Sequence, residues 1–484
     1  MSARALIDLV LDDGTFVGWD APIDLGGHDA GYRAQLERAR ERSGADEAVL
    51  TGAGSIQGHD VAVVVGEFGF LGGSIGRAAA RRIVAAVTRA TRQRLPLVVS
   101  TASSGTRMQE GTPAFVEMVA ISKSVVAHKA AGLPYLVHLR NPTFGGVLAS
   151  WGSLGHVTVA EPGARIGFLG PRVAEALNGS PFPPEVQVAE HLVGKGVIDG
   201  VVPTQDLAEV AARMLRLLRP RVSAGVRRPV PPPSSGAVSP GVSAWDSVLL
   251  TRRPDRPGLR ELLAHGADEV VPLSGTGEGE RDAGLRLALT SFDGIPCVLV
   301  GQDRHHQASR RPLGPAGLRA ARRGMRLAGE LGLPLVTVVD TPGAELSSRA
   351  EEGALAGEIA RCVADMSSLT VPTVALLLGQ GSGGGALALL PAGRIVAAEH
   401  AWLSPLPLEG ASVIVHHDTA HAAELAELQQ VSAHDLHAGG FVHVVVPERP
   451  AAHEDPRGFV RAMVSACAAA VRELAEPGPA RLTG

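Results

Sequence analysis

Two places in this sequence join paired glycines to the start of a short helix, Gly145-Gly146-Val147 and Gly384-Gly385-Ala386. Glycine lets the backbone turn so that successive N–H groups point outward at a helix start. Such amides, with the helix dipole behind them, stabilise an oxygen that becomes negative during a reaction. One pair alone reads more readily as a tight turn where two backbones pack closely. Two pairs at matching places in a duplicated chain favour chemistry.

A second candidate is SSGTRMQEG, Ser103 to Gly111. Gly105 could open an anion-accepting loop, and Arg107 would then stand near a phosphate or carboxylate. The bland alternative is an Arg107–Glu110 pair that steadies the loop. A related stretch, DTPGAELSSRAEEG, runs from Asp340 to Gly353.

Other patterns carry less. GQGSGG, Gly379 to Gly384, fits a dinucleotide fingerprint, and Glu399 follows at the ribose-binding distance. The helix has room for only about two turns before Pro391, which is short for that fold. His417 and His421 have helical spacing, but no third ligand follows at metalloenzyme distance, so they read as a surface pair. Arg310-Arg311 and Arg322-Arg323 read as a solvated basic face. No GxSxG occurs, and no cysteine sits in a papain-like context, so a nucleophilic acyl enzyme has little support.

The elements that must position these loops occur twice. RLPLVVSTASSGTRMQEG, from Arg94, resembles GLPLVTVVDTPGAELSSRAEEG, from Gly332. Pro96 and Pro334, Gly105 and Gly343, and Pro134 and Pro372 are each 238 positions apart. The glycine pairs match with one extra residue in the second copy. Each copy runs from a helix (Gly76–Arg92; Gly314–Glu330) to an apolar strand, a glycine-bearing loop, a helix, a strand and a glycine-rich turn. A third strand closes it (His156–Ala160; Arg394–Ala398). Alternating strands and helices predict an α/β fold with largely parallel pairing. The continuous apolar strands predict a sheet covered on both faces. SAGVRRPVPPPSSGAVSPGVS reads as a linker. The expected domains are 1–222 and 244–484, with the linker at 223–243.

A length of 484 residues suits two domains of about 200 each. With 45% hydrophobic and 19% charged residues, the chain reads as a soluble globular protein. The net charge of −4 gives no electrostatic reason to expect nucleic acid or an anionic membrane as partner. No signal peptide or membrane span is visible, so the cytoplasm is the expected compartment. Cys297, Cys362 and Cys467 are far apart and form no CxxC pair, so no disulfide framework or zinc ribbon is expected.

These motifs resemble the bacterial acetyl-CoA carboxylase carboxyltransferase, usually made of two subunits. LGGSIG (Leu71–Gly76), SSGTRMQEG, NPTFGGVLAS and AEPGARIGFLGPRV are similar to its β subunit. GLPLVTVVDTPGA, AEEG, VPTVALLLGQGSGGGALAL and LEGAS are similar to its α subunit. The resemblance covers nearly the whole chain in the correct order. It implies two tandem ClpP/crotonase-like domains, a duplicated ββα superhelix, fused on one polypeptide. It also implies a reaction: carboxybiotin loses CO2, its ureido oxygen takes a proton from the acyl α-carbon, and the enolate attacks CO2.

Two oxyanions need two cradles. By that resemblance Gly145 and Gly146 hold the thioester oxygen, and Gly385 and Ala386 hold the biotin ureido oxygen. Gly72, Gly73, Gly105, Thr106, Arg107 and Val147, with Gly343 and Gly384 in the second half, are the expected substrate-binding residues. Biotin is expected as carboxybiotin on a separate carrier protein, coenzyme A thioester as substrate, and no zinc. Biotin carboxylase and biotin carboxyl carrier protein are the implied partners, because no Met-Lys-Met carrier site or ATP-grasp segment is recognisable. Family members place the site between the first half of one protomer and the second half of another, so a homo-oligomer is expected. The absent zinc ribbon, and AELSSRAEEG in place of the usual glycine-containing stretch, are departures. A malonate or acyl-CoA decarboxylase, a crotonase-type hydratase or isomerase, and a non-catalytic scaffold subunit stay open as alternatives.

Overall fold

The structure, a computed structural model, describes residues 1–23, 29–168, 170, 183, 185–218, 242–308 and 311–476. The chain divides into two compact units, Met1–Leu218 and Arg219–Gly484. The expected linker 223–243 lies outside the described residues except for Val242 and Ser243. Ser243 caps the helix Ala244–Arg252 in a reciprocal capping box with Asp246, which fixes the start of that helix.

The first unit holds an eight-stranded sheet. Its strands are β1 (Val17–Gly18), β2 (Val49–Ile56), β3 (His59–Gly66), β4 (Leu97–Ser103), β5 (Tyr135–Phe144), β6 (Val157–Ala160), β7 (Ile166–Gly167) and β8 (Gly200–Val201). Their order is β1-β2-β3-β4-β5-β6-β8, with β7 beside the end of β5. The second unit repeats the plan with β9 (Glu269–Leu273), β10 (Leu285–Phe292), β11 (Ile295–Gln302), β12 (Leu335–Thr341), β13 (Thr373–Ser382), β14 (Arg394–Ala398), β15 (Trp402–Ser404) and β16 (Val444–Val446). Here the order is β16-β14-β13-β12-β11-β10-β9, with β15 beside β13.

From β3 to β8, and from β11 to β16, pairing is parallel, as the alternation of strands and helices predicts. Each unit also opens with antiparallel pairing, β1–β2–β3 and β9–β10–β11, in which β2–β3 and β10–β11 are hairpins. Gln57-Gly58 and Asp293-Gly294 turn these hairpins with positive φ at both residues, the twist that suits adjoining strands.

All seven residues of β4 and of β12 are buried, so both sheet faces are covered. Helix Arg77–Arg92 buries Ala79, Ile83, Ala86, Val87 and Ala90 on one stripe, and helix Pro315–Leu331 buries Leu318, Ala321, Met325 and Ala328. Small and branched aliphatics fill these layers where aromatics are scarce.

Two irregularities deliver the loops to one end of each sheet. The β4–β5 register shifts between Thr101 and Ser103, so that Ser103 pairs with Thr143. The β12–β13 register shifts at the matching place, and Thr341 pairs with Gly381. A bulge there re-aims the chain beyond the strand ends.

Candidate active site

In the first unit the loop after β4 is fixed by its own side chains. Ser103 Oγ accepts the Gly105 N–H at 3.0 Å and donates to the Gly73 carbonyl at 2.6 Å. Gly105 adopts φ +109°, a conformation that side chains disfavour. The Ile75 N–H donates to the Gly105 carbonyl at 2.9 Å, and the Arg107 N–H to the Ile75 carbonyl at 3.0 Å. That short parallel bridge leaves the intervening Thr106 amide with no hydrogen-bond partner among the described residues.

The turn after β5 meets this loop. A methyl placed on Gly105 would stand 3.3 Å from the Gly145 Cα and 3.6 Å from the Gly146 nitrogen. One on Gly146 would stand 2.9 Å from Thr106 Oγ1. The Gly146 amide also lacks a partner among the described residues. The Gly145 amide does not: it donates to the carbonyls of Gly167 at 3.2 Å and Phe168 at 3.0 Å. The resemblance has Gly145 sharing the oxyanion with Gly146. Gly145 supplies the positive-φ turn at +65°, and the amides of Thr106, Gly146 and Val147 have no partner among the described residues.

The second unit builds the same corner from different side chains. Thr341 Oγ1 accepts the Gly343 N–H at 3.1 Å and donates to Gln307 Oε1 at 2.6 Å. The Glu345 N–H donates to the Leu313 carbonyl at 2.9 Å, leaving the Ala344 amide without a partner among the described residues. Opposite it, helix Gly383–Leu387 opens on Gly383 at φ +63°. A methyl on Gly385 would stand 3.2 Å from the Ala344 nitrogen. The amides of Gly384 and Gly385 belong to the first turn of this helix, where intrahelical partners are lacking. Ala386, the next residue, is fully buried. Two amide-lined corners of one design therefore stand in the two units, each able to hold an oxygen that gains negative charge.

The remaining expected residues have definite places. Gly72 and Gly73 buttress the first corner. The Gly72 carbonyl accepts the Ser104 N–H at 2.9 Å, and a methyl on Gly73 would stand 2.0 Å from the Ala102 oxygen. Val147 is buried beneath the turn. Gly384 packs on Ile359, where a methyl would stand 2.5 Å from Cδ1.

Arg107 is a correction. Its loop suggests a place near a substrate phosphate or carboxylate, yet it is 1% exposed and wholly engaged within the protein. Its guanidinium forms a two-pronged pair with Glu47 and donates to the Ser74 carbonyl at 2.7 Å. It also approaches Glu110 at 3.5 Å and lies over the Phe70 ring. A guanidinium so placed has no donor left for a ligand.

The dinucleotide pattern also fails. Its helix has five residues, and Glu399 is buried, accepting the Glu448 N–H at 2.8 Å. His421 pairs with Asp418 at 2.9 Å and stacks on His416. Arg322 pairs with Asp365 at 2.7 Å, Arg323 donates to the carbonyls of Ser274 and Gly275, and Arg310 lies outside the described residues. Among the described residues no group of three or more His, Cys, Asp or Glu could hold a metal ion. No described helix is long and apolar enough to cross a membrane.

Sequence reasoning missed the buried polar groups behind the second corner. Gln302 ends β11 and bonds the Gly385 carbonyl and the Asp340 amide. Asp340 is fully buried, and burial pushes its carboxyl above the usual range against the pull of Arg304 at 3.4 Å. The available signal was a polar residue closing an apolar strand, CVLVGQ and VTVVD.

Comparison with known proteins places the chain in a family. The carboxyl transferase domain family matches residues 1–481. A probable biotin-dependent acyl-coenzyme A carboxylase beta3 subunit of Mycobacterium tuberculosis is 55% identical over 98% of this chain and 94% of its own length. An acetyl-coenzyme A carboxylase carboxyl transferase subunits beta/alpha protein of Salinispora arenicola is 40% identical over 89% of this chain and 79% of its own. Among solved structures, the transcarboxylase 12S core matches with a TM-score of 0.79 at 21% identity, over all of this chain and 92% of the other. That likeness shows the fold, a pair of crotonase-like domains, each with its own sheet. The chain thus belongs to the carboxyl transferase domain family and is a carboxyltransferase of the biotin-dependent acyl-CoA carboxylase kind.

Proposed function

We propose that this chain moves a carboxyl group from carboxybiotin, carried on a separate protein, to acetyl-CoA, giving malonyl-CoA. The observation that carries the reading is the repeated amide corner, Thr106 with Gly146 and Ala344 with Gly385, to which the motif resemblance adds Ala386. The first corner holds the thioester oxygen. When the α-proton leaves, negative charge moves onto that oxygen, and fixed N–H donors stabilise it more than they stabilise the ground state. The second corner holds the ureido oxygen of biotin, which gains charge as CO2 departs and then takes the α-proton. The enolate carbon attacks CO2, forming the new C–C bond. The base is the biotin oxygen itself, so the reading needs no side-chain base.

Acetyl-CoA is supported by the motif resemblance and by the Salinispora relative, whose name carries that substrate. A biotin carboxylase and a biotin carboxyl carrier protein are the partners that the reading requires. The name of the Mycobacterium relative, a subunit, supports such a complex. A symmetric homo-oligomer belongs to the same reading, supported by the hexamer assembly of the transcarboxylase 12S core.

Gly146→Val and Gly385→Val test the corners one at a time. Each is expected to lower transfer by roughly 100-fold or more, the usual cost of losing an oxyanion donor. Unchanged activity of the assembled complex in both variants would instead mark this chain as a scaffold. Parallel rates with malonyl-CoA and methylmalonyl-CoA in the reverse direction rank the acyl groups. A faster methylmalonyl-CoA reaction would refute the acetyl assignment.

A further inference from the structure

We propose that Gln302 is a positioning residue, fixing the Gly385–Ala386 peptide so that its N–H faces the ligand oxygen. The argument starts from a carbonyl that its own helix leaves unbonded. In helix Gly383–Leu387 the Ala388 N–H donates to Gly384 at 3.0 Å and the Leu389 N–H to Ala386 at 3.1 Å. The ladder skips Gly385, whose carbonyl takes Gln302 Nε2 at 2.7 Å instead. The peptide plane is rigid and trans, so holding the Gly385 oxygen on one side holds the Ala386 N–H on the opposite side. Control of the donor's direction therefore rests with a side chain from another strand.

Gln302 is itself held at both ends. Its Oε1 accepts the Asp340 N–H at 3.0 Å, so the amide has one orientation, nitrogen toward Gly385 and oxygen toward β12. Both polar ends of its side-chain amide are taken up by main chain, so it acts only through the Gly385–Ala386 peptide, as a positioning group rather than a catalytic one. Asp340 continues the frame by accepting the Gln380 N–H at 3.1 Å, at the end of the strand that leads into the helix.

The first unit does this differently. With the positive-φ glycines Gly145 and Gly383 aligned, Val147 matches Gly385, and its carbonyl accepts the Gly152 N–H at 2.8 Å, a bond within its own segment. The first corner is thus braced locally, whereas the second is braced across the sheet. The inference rests on the reading that the Ala386 amide holds the biotin oxygen.

The test uses the full-length chain with malonyl-CoA and free biotin. Gln302→Met keeps the shape and removes both hydrogen bonds. It is expected to lower kcat roughly 10- to 100-fold, somewhat less than deleting a donor outright. The malonyl-CoA Kd, read by calorimetry, should stay within about twofold, because the thioester is assigned to the other unit. A kcat near wild type overturns the inference. So does a parallel loss of kcat, malonyl-CoA binding and melting temperature, which is what a merely structural residue would give.

Gln302→Glu provides a second, independent readout. Its side chain can donate to the Gly385 carbonyl only when protonated, so its rate relative to wild type should rise as pH falls. A constant ratio across pH overturns the inference even if Gln302→Met does not fold. Wild-type protein with no biotin-dependent transfer would defeat the functional reading itself, an outcome separate from variants that match an active wild type.

Discussion

Gly105 and Gly145 touch backbone to backbone: a methyl on Gly145 would stand 3.1 Å from the Gly105 Cα. Both hold positive φ, +109° and +65°, so a side chain at either is strained as well as crowded. This contact brings the Thr106 and Gly146 amides onto facing loops.

Gly105→Ala and Gly145→Ala are therefore expected to part the loops. The expected loss is roughly 100-fold in kcat, comparable to removing an oxyanion donor, with the fold retained. Steady-state kinetics beside circular dichroism checks this. A folded Gly145→Ala variant with wild-type kcat would remove the first corner from the chemistry.

Arg107 separates a structural role from a binding one. Arg107→Met leaves the Glu47 carboxylate buried without its partner, and breaking such a pair costs about 3–5 kcal/mol. Denaturant unfolding should show the loss, while the KM for acyl-CoA of the folded fraction stays nearly unchanged. A large rise in KM at wild-type stability would mean that the guanidinium meets substrate after all.

Two buried histidines set an acid limit on the first unit. Burial pushes His128 down to about 4 and His138 to about 3, from about 6.5 in unfolded chain. Between those values and 6.5 the unfolded state binds more protons, so stability is full above about pH 6.5 and falls as the pH drops toward 4. Each histidine should contribute a loss of about 2 kcal/mol by pH 5. Denaturant midpoints at pH 7 and pH 5 measure the drop. His138→Leu is expected to lower stability at pH 7 yet shrink the difference between the two, and an undiminished difference would contradict the assignment.

The plan of the molecule could be read from its residues where the signal was periodic or repeated. The 238-residue offset of Pro96 and Pro334 marks the starts of β4 and β12, and Gly105 and Gly343 both close on a Ser or Thr two residues before them. The hairpins β2–β3 and β10–β11 went unread because they precede the duplicated motifs, although Asp293-Gly294 is a strong turn signal. Arg107 was misplaced for a different reason. An arginine in a glycine-bearing loop looks the same in sequence whether it faces a ligand or a carboxylate 60 residues earlier, and only the fold brings Glu47 to it. Gln302 shows in the sequence only as a polar residue closing an apolar strand, and its role stays hidden there because its partner is a main-chain carbonyl, which has no identity in a sequence.

The central claim, carboxyl transfer through biotin, meets its most direct test in the reverse half-reaction of the purified chain. Malonyl-CoA and a soluble biotin derivative are mixed with the protein, and acetyl-CoA is followed with and without biotin. The account predicts acetyl-CoA only when biotin is present. Acetyl-CoA formed equally well without biotin would show decarboxylation rather than transfer. No product from a folded, oligomeric protein would contradict the claim that this chain carries out carboxyl transfer.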